Sequence, residues 1–189
     1  MDKKYYSMSF GYQITNQYGI HFMTFTIVDW VDIFSRKSYR EIIMDSIKYC
    51  IKEKGLQVYG FVIMTNHVHL IIRAVNGNLS DVVRDMKKFT SVKIIETIHK
   101  EPESRREWLL HRFEWNANPN NGNKYYQVWT HENHAEEIYT EDFFNTKLNY
   151  IHMNPVRSGW VEQPEHYLYS SAKNYLNGIR DGLIIFWER

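Results

Sequence analysis

Hydrophobic positions along the chain change period several times, and each change marks an element. Residues 19–28 (GIHFMTFTIV) are dense in β-branched and aromatic side chains, which suit a pleated surface, and predict a first strand. Over 38–54 the apolar residues Tyr39, Ile42, Ile43, Ile47, Cys50 and Ile51 recur at intervals of three and four, so one stripe of a helix faces a core. Gly55 stops that helix. Two further apolar runs, 57–64 and 67–73, are separated by Thr65-Asn66, a spacing that suits a tight antiparallel hairpin. In the second run Val68, Leu70 and Ile72 point one way, while His67, His69, Ile71 and Arg73 point the other.

A turn at Asn76-Gly77-Asn78 leads into a second amphipathic helix, with Leu79, Val82, Val83 and Met86 inward and Arg84, Lys87 and Lys88 on its outer surface. The period is then lost from 101 to about 128, and the run 116–124 (NANPNNGNK) consists of turn and loop formers, so this stretch reads as an irregular excursion. A short strand at 127–130 precedes a third helix from Glu141, which Pro155 is expected to end because the residue before a proline disfavours helical geometry. A C-terminal tail from about 156 closes with a short helix near 170–177. Strand, helix, strand, strand, helix, strand is the order of the ferredoxin-like split βαβ unit, an α+β fold with an antiparallel sheet and helices packed on one face. The other face is then available. At 189 residues, a single domain over 1–189 is the expectation.

Composition narrows the function classes. With 43% apolar and 24% charged residues the chain is globular rather than disordered or fibrous. Lysine and arginine number 23 against 22 acidic residues, so any contact with a polyanion must come from local clusters of charge. The lone Cys50 has no partner for an internal disulfide, no apolar run is long enough to cross a bilayer, and the start MDKKYYSMSFGYQ lacks the apolar core of a secretory signal; a cytoplasmic location is expected, with no membrane partner.

Two groups of residues carry candidate chemistry. His67-Val68-His69 lies on a predicted strand, whose period of two sets both imidazoles on one side, close enough to share a metal ion. Tyr150 and Asn154, four apart on the third helix, share a face about one turn apart, with Lys147 nearby. Phe144, Leu148 and Ile151 form that helix's buried stripe, so Tyr150 falls at the border of core and solvent. A divalent ion held by His67, His69 and the Asn154 amide oxygen, beside the Tyr150 phenol, would make a phosphodiester-cleaving device. The phenol needs such help, because at a pKa near ~10 only about one part in a thousand is ionised at neutral pH. Magnesium or manganese is the expected ion, although carboxylate ligands are more usual for either.

These residues resemble the single-tyrosine HUH transposases of bacterial insertion sequences, closest to the REP-associated tyrosine transposases. The matching text is YGFVIMTNHVHLII at 59–72, LSDVVRDMKKFTS at 79–91, NYIHMNPVRSGWV at 149–161 and EHYLYSS at 165–171, in the family's order. The resemblance implies a ferredoxin-like nuclease that cuts single-stranded DNA near a hairpin, leaving a 5′-phosphotyrosine and a free 3′-hydroxyl for later strand transfer. By position, His67 and His69 match the histidine pair, Tyr150 the nucleophile, and Asn154 the polar residue that completes the metal site. Insertion-sequence relatives often place a glutamine at that last position. In some relatives one subunit's tyrosine helix completes its partner's site, so the resemblance also allows a homodimer.

Arg84, Lys87, Lys88 and Lys93 on the second helix, with Lys147 and Arg157 on the third, are candidates for phosphate contacts. His131, His134, Glu136 and Glu137 offer a second set of metal-binding side chains, and Trp108, Trp115, Tyr125, Tyr126 and Trp129 could stack on unpaired bases. Two rival readings compete with the transposase: a non-catalytic single-strand-binding module, and a metal-dependent phosphodiester hydrolase using water. The aromatic signature that the first rival needs on its central strands is absent.

Overall fold

The computed structural model describes residues 13–117 and 125–187, so most of the polar leader and the centre of the loop expected at 116–124 lie outside the described residues. In chain order the elements are β1 (His21–Thr26), α1 (Lys37–Lys54), β2 (Leu56–Ile63), β3 (His67–Ala74), α2 (Leu79–Lys100), α3 (Arg106–Trp115), β4 (Glu136–Glu137), α4 (Glu141–Arg157) and α5 (Ala172–Leu176). The strands form one antiparallel sheet in the order β2-β3-β1-β4, the arrangement expected of an α+β ferredoxin-like unit. Its register sets Thr24 opposite His69 and Thr26 opposite His67.

β3 is covered on both faces: Val68, Leu70 and Ile72 on one side and Ile71 on the other are completely buried, and Met23, Phe61, Ile47 and Ile98 join them in the core. Each such side chain removed from water contributes roughly 1.5–3 kcal/mol. On the face that carries Phe25, the Lys87 ammonium of α2 sits 5.5 Å from the Phe25 ring centre, and α1 packs against α2. The opposite face, which the sequence leaves available, is partly covered by α4. A residue with no side chain makes this possible: a Cβ on Gly60 would stand 2.8 Å from Leu148 Cδ1. Thr140 caps α4, its hydroxyl accepting from the Phe143 amide at 3.2 Å.

Three expectations need correction. First, residues 127–130 are not the fourth strand: Trp129 makes only an isolated bridge to Ile27, and β4 lies further on. The Val28 amide donates to Val128, Thr130 to Thr26, Thr24 to Asn133 and Ile138 to Ile20, so residues 128–138 follow the whole edge of β1. Extra residues between these bonds break the ladder and leave only Glu136–Glu137 in regular pairing. Second, α4 runs through Pro155 to Arg157. The proline is buried, and the turn beyond it closes with Trp160 donating to Pro155 and Gly159 to Val156, with Gly159 at a φ of 72° that suits glycine. Third, α3 occupies part of the stretch expected to be irregular. It buries only Leu109 and Phe113, a stripe too short to establish a period.

The tail binds the outer edge of β2. The Ile63 amide donates to the Tyr169 carbonyl, Ser171 to Phe61 and Ile185 to Val58. The Tyr167 hydroxyl adds a bond to the Ile63 carbonyl at 2.8 Å, and that of Tyr175 one to the Tyr59 carbonyl at 2.6 Å. No helix among the described residues is long and apolar enough to cross a membrane.

Candidate active site

His67 opens β3 directly after the hairpin turn, and His69 follows on the same face, with ring centres 4.6 Å apart. The Asn66 side-chain oxygen lies 2.6 Å from His67 Nδ1. An amide oxygen only accepts, so Nδ1 carries the proton and Nε2 keeps the lone pair. His69 Nδ1 is 2.9 Å from the Thr24 hydroxyl, while its Nε2 is buried with no hydrogen-bond partner. Burial pushes His67 down to about 4; for His69, burial together with His67 and the Lys147 charge pushes it down to about 3. Both rings are therefore neutral at pH 7. A neutral imidazole pair with an orphaned buried nitrogen fits a cation, because an unpaired buried polar atom calls for a partner.

α4 carries Tyr150 to this pair within the same chain. Its ring centre is 5.2 Å from that of His69, and Phe22, stacked on His69 at 5.4 Å, meets the tyrosine edge-on at 6.0 Å. Tyr150 is 40% exposed, and its hydroxyl makes no hydrogen bond to the described residues. The Arg157 guanidinium lies 5.8 Å from the Tyr150 ring centre. Lys147 points at the site's inner wall: its ammonium is 4.4 Å from the Phe22 ring centre and 2.7 Å from Glu136 Oε1. Asn154, one turn beyond Tyr150, is partly buried, and no hydrogen bond ties its amide to the imidazoles. Thus His67, His69, Tyr150, Lys147 and Arg157 are brought together, with Asn154 on the same helix.

The α2 cations lie elsewhere, in a groove between α2 and residues 125–133. Arg84 is exposed and ion-paired with Asp81 and Asp85, and Lys88 is exposed. Lys87, expected on the outer surface, is turned inward: it donates to the Thr130 carbonyl and to Asn133 Oδ1, both at 2.7 Å, and burial pushes its ammonium down to about 8. The second candidate metal set does not assemble. Glu136 is paired with Lys147, Glu137 accepts from Asn16 and Tyr139, and no group of three or more His, Cys, Asp or Glu gathers among the described residues. Trp129 is buried core that donates to the Thr90 hydroxyl, whereas Trp108, Trp115 and Tyr125 are exposed.

Thr24, Asn66 and Phe22, which hold the two imidazoles, escape a reading of the sequence. Asn66 reads there as a turn former, and Thr24 and Phe22 become visible only once the register of β1 against β3 is known.

The family described as transposase, IS200-like, matches residues 14–141. A solved structure of a REP-associated tyrosine transposase bound to a REP hairpin superposes with a TM-score of 0.61 at 17% identity, covering 92% of this chain and 87% of that one. At that identity the likeness shows the fold. No curated protein matches the chain.

Proposed function

This chain belongs to the IS200-like transposase family, and on that footing we propose that Tyr150 is the nucleophile that cleaves and rejoins single-stranded DNA. The observation that carries the reading is the unbonded Tyr150 hydroxyl on a ring 5.2 Å from His69 in the same chain. His67 and His69 would hold a divalent ion, magnesium or manganese, through Nε2, with Asn154 as third ligand. When bound, that ion would supply positive charge to the non-bridging phosphate oxygens.

The residues of the chain do the rest. The Asn66 contact holds His67 in the tautomer that presents Nε2, the Thr24 hydroxyl orients the His69 ring through Nδ1, and Phe22 fixes the plane of His69. Arg157, whose guanidinium lies 5.8 Å from the Tyr150 ring centre, meets the phosphate and offsets the charge that develops on it. The Tyr150 oxygen attacks phosphorus and loses its proton to solvent. The bond from phosphorus to the 3′ oxygen breaks, and that oxygen takes up a proton. The product is a 5′-phosphotyrosine and a free 3′-hydroxyl, and because the phosphoester energy is retained, attack by a 3′-hydroxyl reverses the step.

The DNA partner is single-stranded and bears a hairpin; the structural neighbour, itself bound to a hairpin, supports this. One chain supplies both the histidines and the tyrosine, so the arrangement does not require a homodimer. The test is a denaturing gel with labelled single-stranded DNA, in which wild type yields a covalent protein–DNA species and Tyr150→Phe yields none while still binding DNA. Adduct formation by the Phe variant would identify another nucleophile, and cleavage by wild type without an adduct would favour the water-using hydrolase.

A further inference from the structure

Trp30 stands out beside the site just described. It is 66% exposed, a costly position for the largest apolar side chain, and its ring centre lies 6.2 Å from that of His67. It also sits in a backbone that bulky residues avoid: Asp29 and Trp30 are consecutive non-glycine residues at φ 53° and 55°. Such a conformation persists only where neighbours hold it. Here they do. The Asp29 carboxylate accepts from Asn116 Nδ2 at 2.8 Å and lies 3.8 Å from the Arg112 guanidinium, both contributed by the end of α3.

On its other side the turn is tied to the histidines. Asn66 Nδ2 donates to the Trp30 carbonyl at 3.3 Å while its Oδ1 accepts from His67 Nδ1, and the Asn66 carbonyl accepts from the Ile27 amide. One asparagine therefore sets the indole and the imidazole relative to each other. Fixed to solvent at the rim of a site that handles unpaired DNA, a flat aromatic face is suited to one ligand chemistry, the π-face of a nucleobase.

We infer that Trp30 is a stacking platform that holds an unpaired base next to the scissile phosphate. The inference deepens the proposed function and rests on it. Stacking of any base is sequence-tolerant, so the platform positions the strand rather than reading it, and its loss appears mainly in KM.

The probe is a hairpin-bearing single-stranded DNA selected from a library by covalent capture on wild-type protein. On that probe, Trp30→Ala should raise KM for adduct formation roughly 5- to 150-fold, the range for losing one stacked base, with a smaller change in kcat. Trp30→Phe should stay within a few-fold of wild type. Scanning abasic sites through the nucleotides flanking the cleaved bond should find one that brings wild type to the level of Trp30→Ala and costs that variant nothing more. Wild-type kinetics in Trp30→Ala, a Phe variant as weak as the Ala variant, or losses that multiply at every abasic position would each overturn the inference while leaving Tyr150 chemistry intact. A library from which wild type captures nothing overturns both readings.

Discussion

A buried polar atom without a partner costs about 1–3 kcal/mol, and His69 Nε2 is such an atom. The same ring is held at Nδ1 by the Thr24 hydroxyl and across its face by Phe22, so the cost is concentrated on the remaining nitrogen. Thr24→Val keeps the shape and removes the oxygen. If Thr24 orients a metal ligand, manganese binding measured by calorimetry should weaken roughly 10-fold, at the lower end of what partners behind metal ligands contribute. Unchanged affinity would make Thr24 a packing residue. The shared face of the two imidazoles was legible in the sequence because it follows from the period of one strand, whereas Tyr150 was singled out by the family resemblance and not by its own spacing. Thr24, Asn66 and Trp30 depend on contacts across strands and turns, which no local period encodes.

At the scale of elements, α4 meets the sheet through Gly60. Gly60→Ala places a methyl against Leu148 and should destabilise by about 1–3 kcal/mol in urea unfolding, as overpacking does; combined with Leu148→Ala, the loss should be smaller than the sum of the two single losses. A Gly60→Ala protein as stable as wild type would show that the helix can shift freely. Lys87 links α2 to residues 130–133, and its folded value of about 8 lies below the ordinary 10.5. Between those values the unfolded chain binds the proton that the folded chain has released, so this group's contribution to stability rises with pH from about 8 to 10.5. Wild type should gain on Lys87→Met across that window by at most roughly 3 kcal/mol, read from denaturation at several pH values. A flat difference would place the ammonium in an aqueous setting. Strands β1 to β3 and helices α1 and α2 were legible from composition and period, down to the C-terminal end of α1. The edge segment at 128–138 was not, because its regularity lies in bonds to β1 and not in its own alternation.

For the molecule as a whole, a net charge of +1 gives little general attraction for DNA, so binding depends on a few placed cations. Arg157 is the exposed one beside the phenol. Arg157→Gln should therefore lower the slope of log affinity against log salt by about 0.7, the release expected for one phosphate contact on a single strand, and an unaltered slope would remove Arg157 from the interface. Both sides of the sheet matter here as well. Residues 128–138 run along β1, and the tail's Tyr169, Ser171 and Ile185 run along β2. The tail thus occupies the β2 edge, and the other edge carries only the two-residue β4, too short a template for a second copy to extend the sheet into a fibre. Strand addition by a second copy is thereby disfavoured at both ends of the sheet, at one by covering and at the other by brevity.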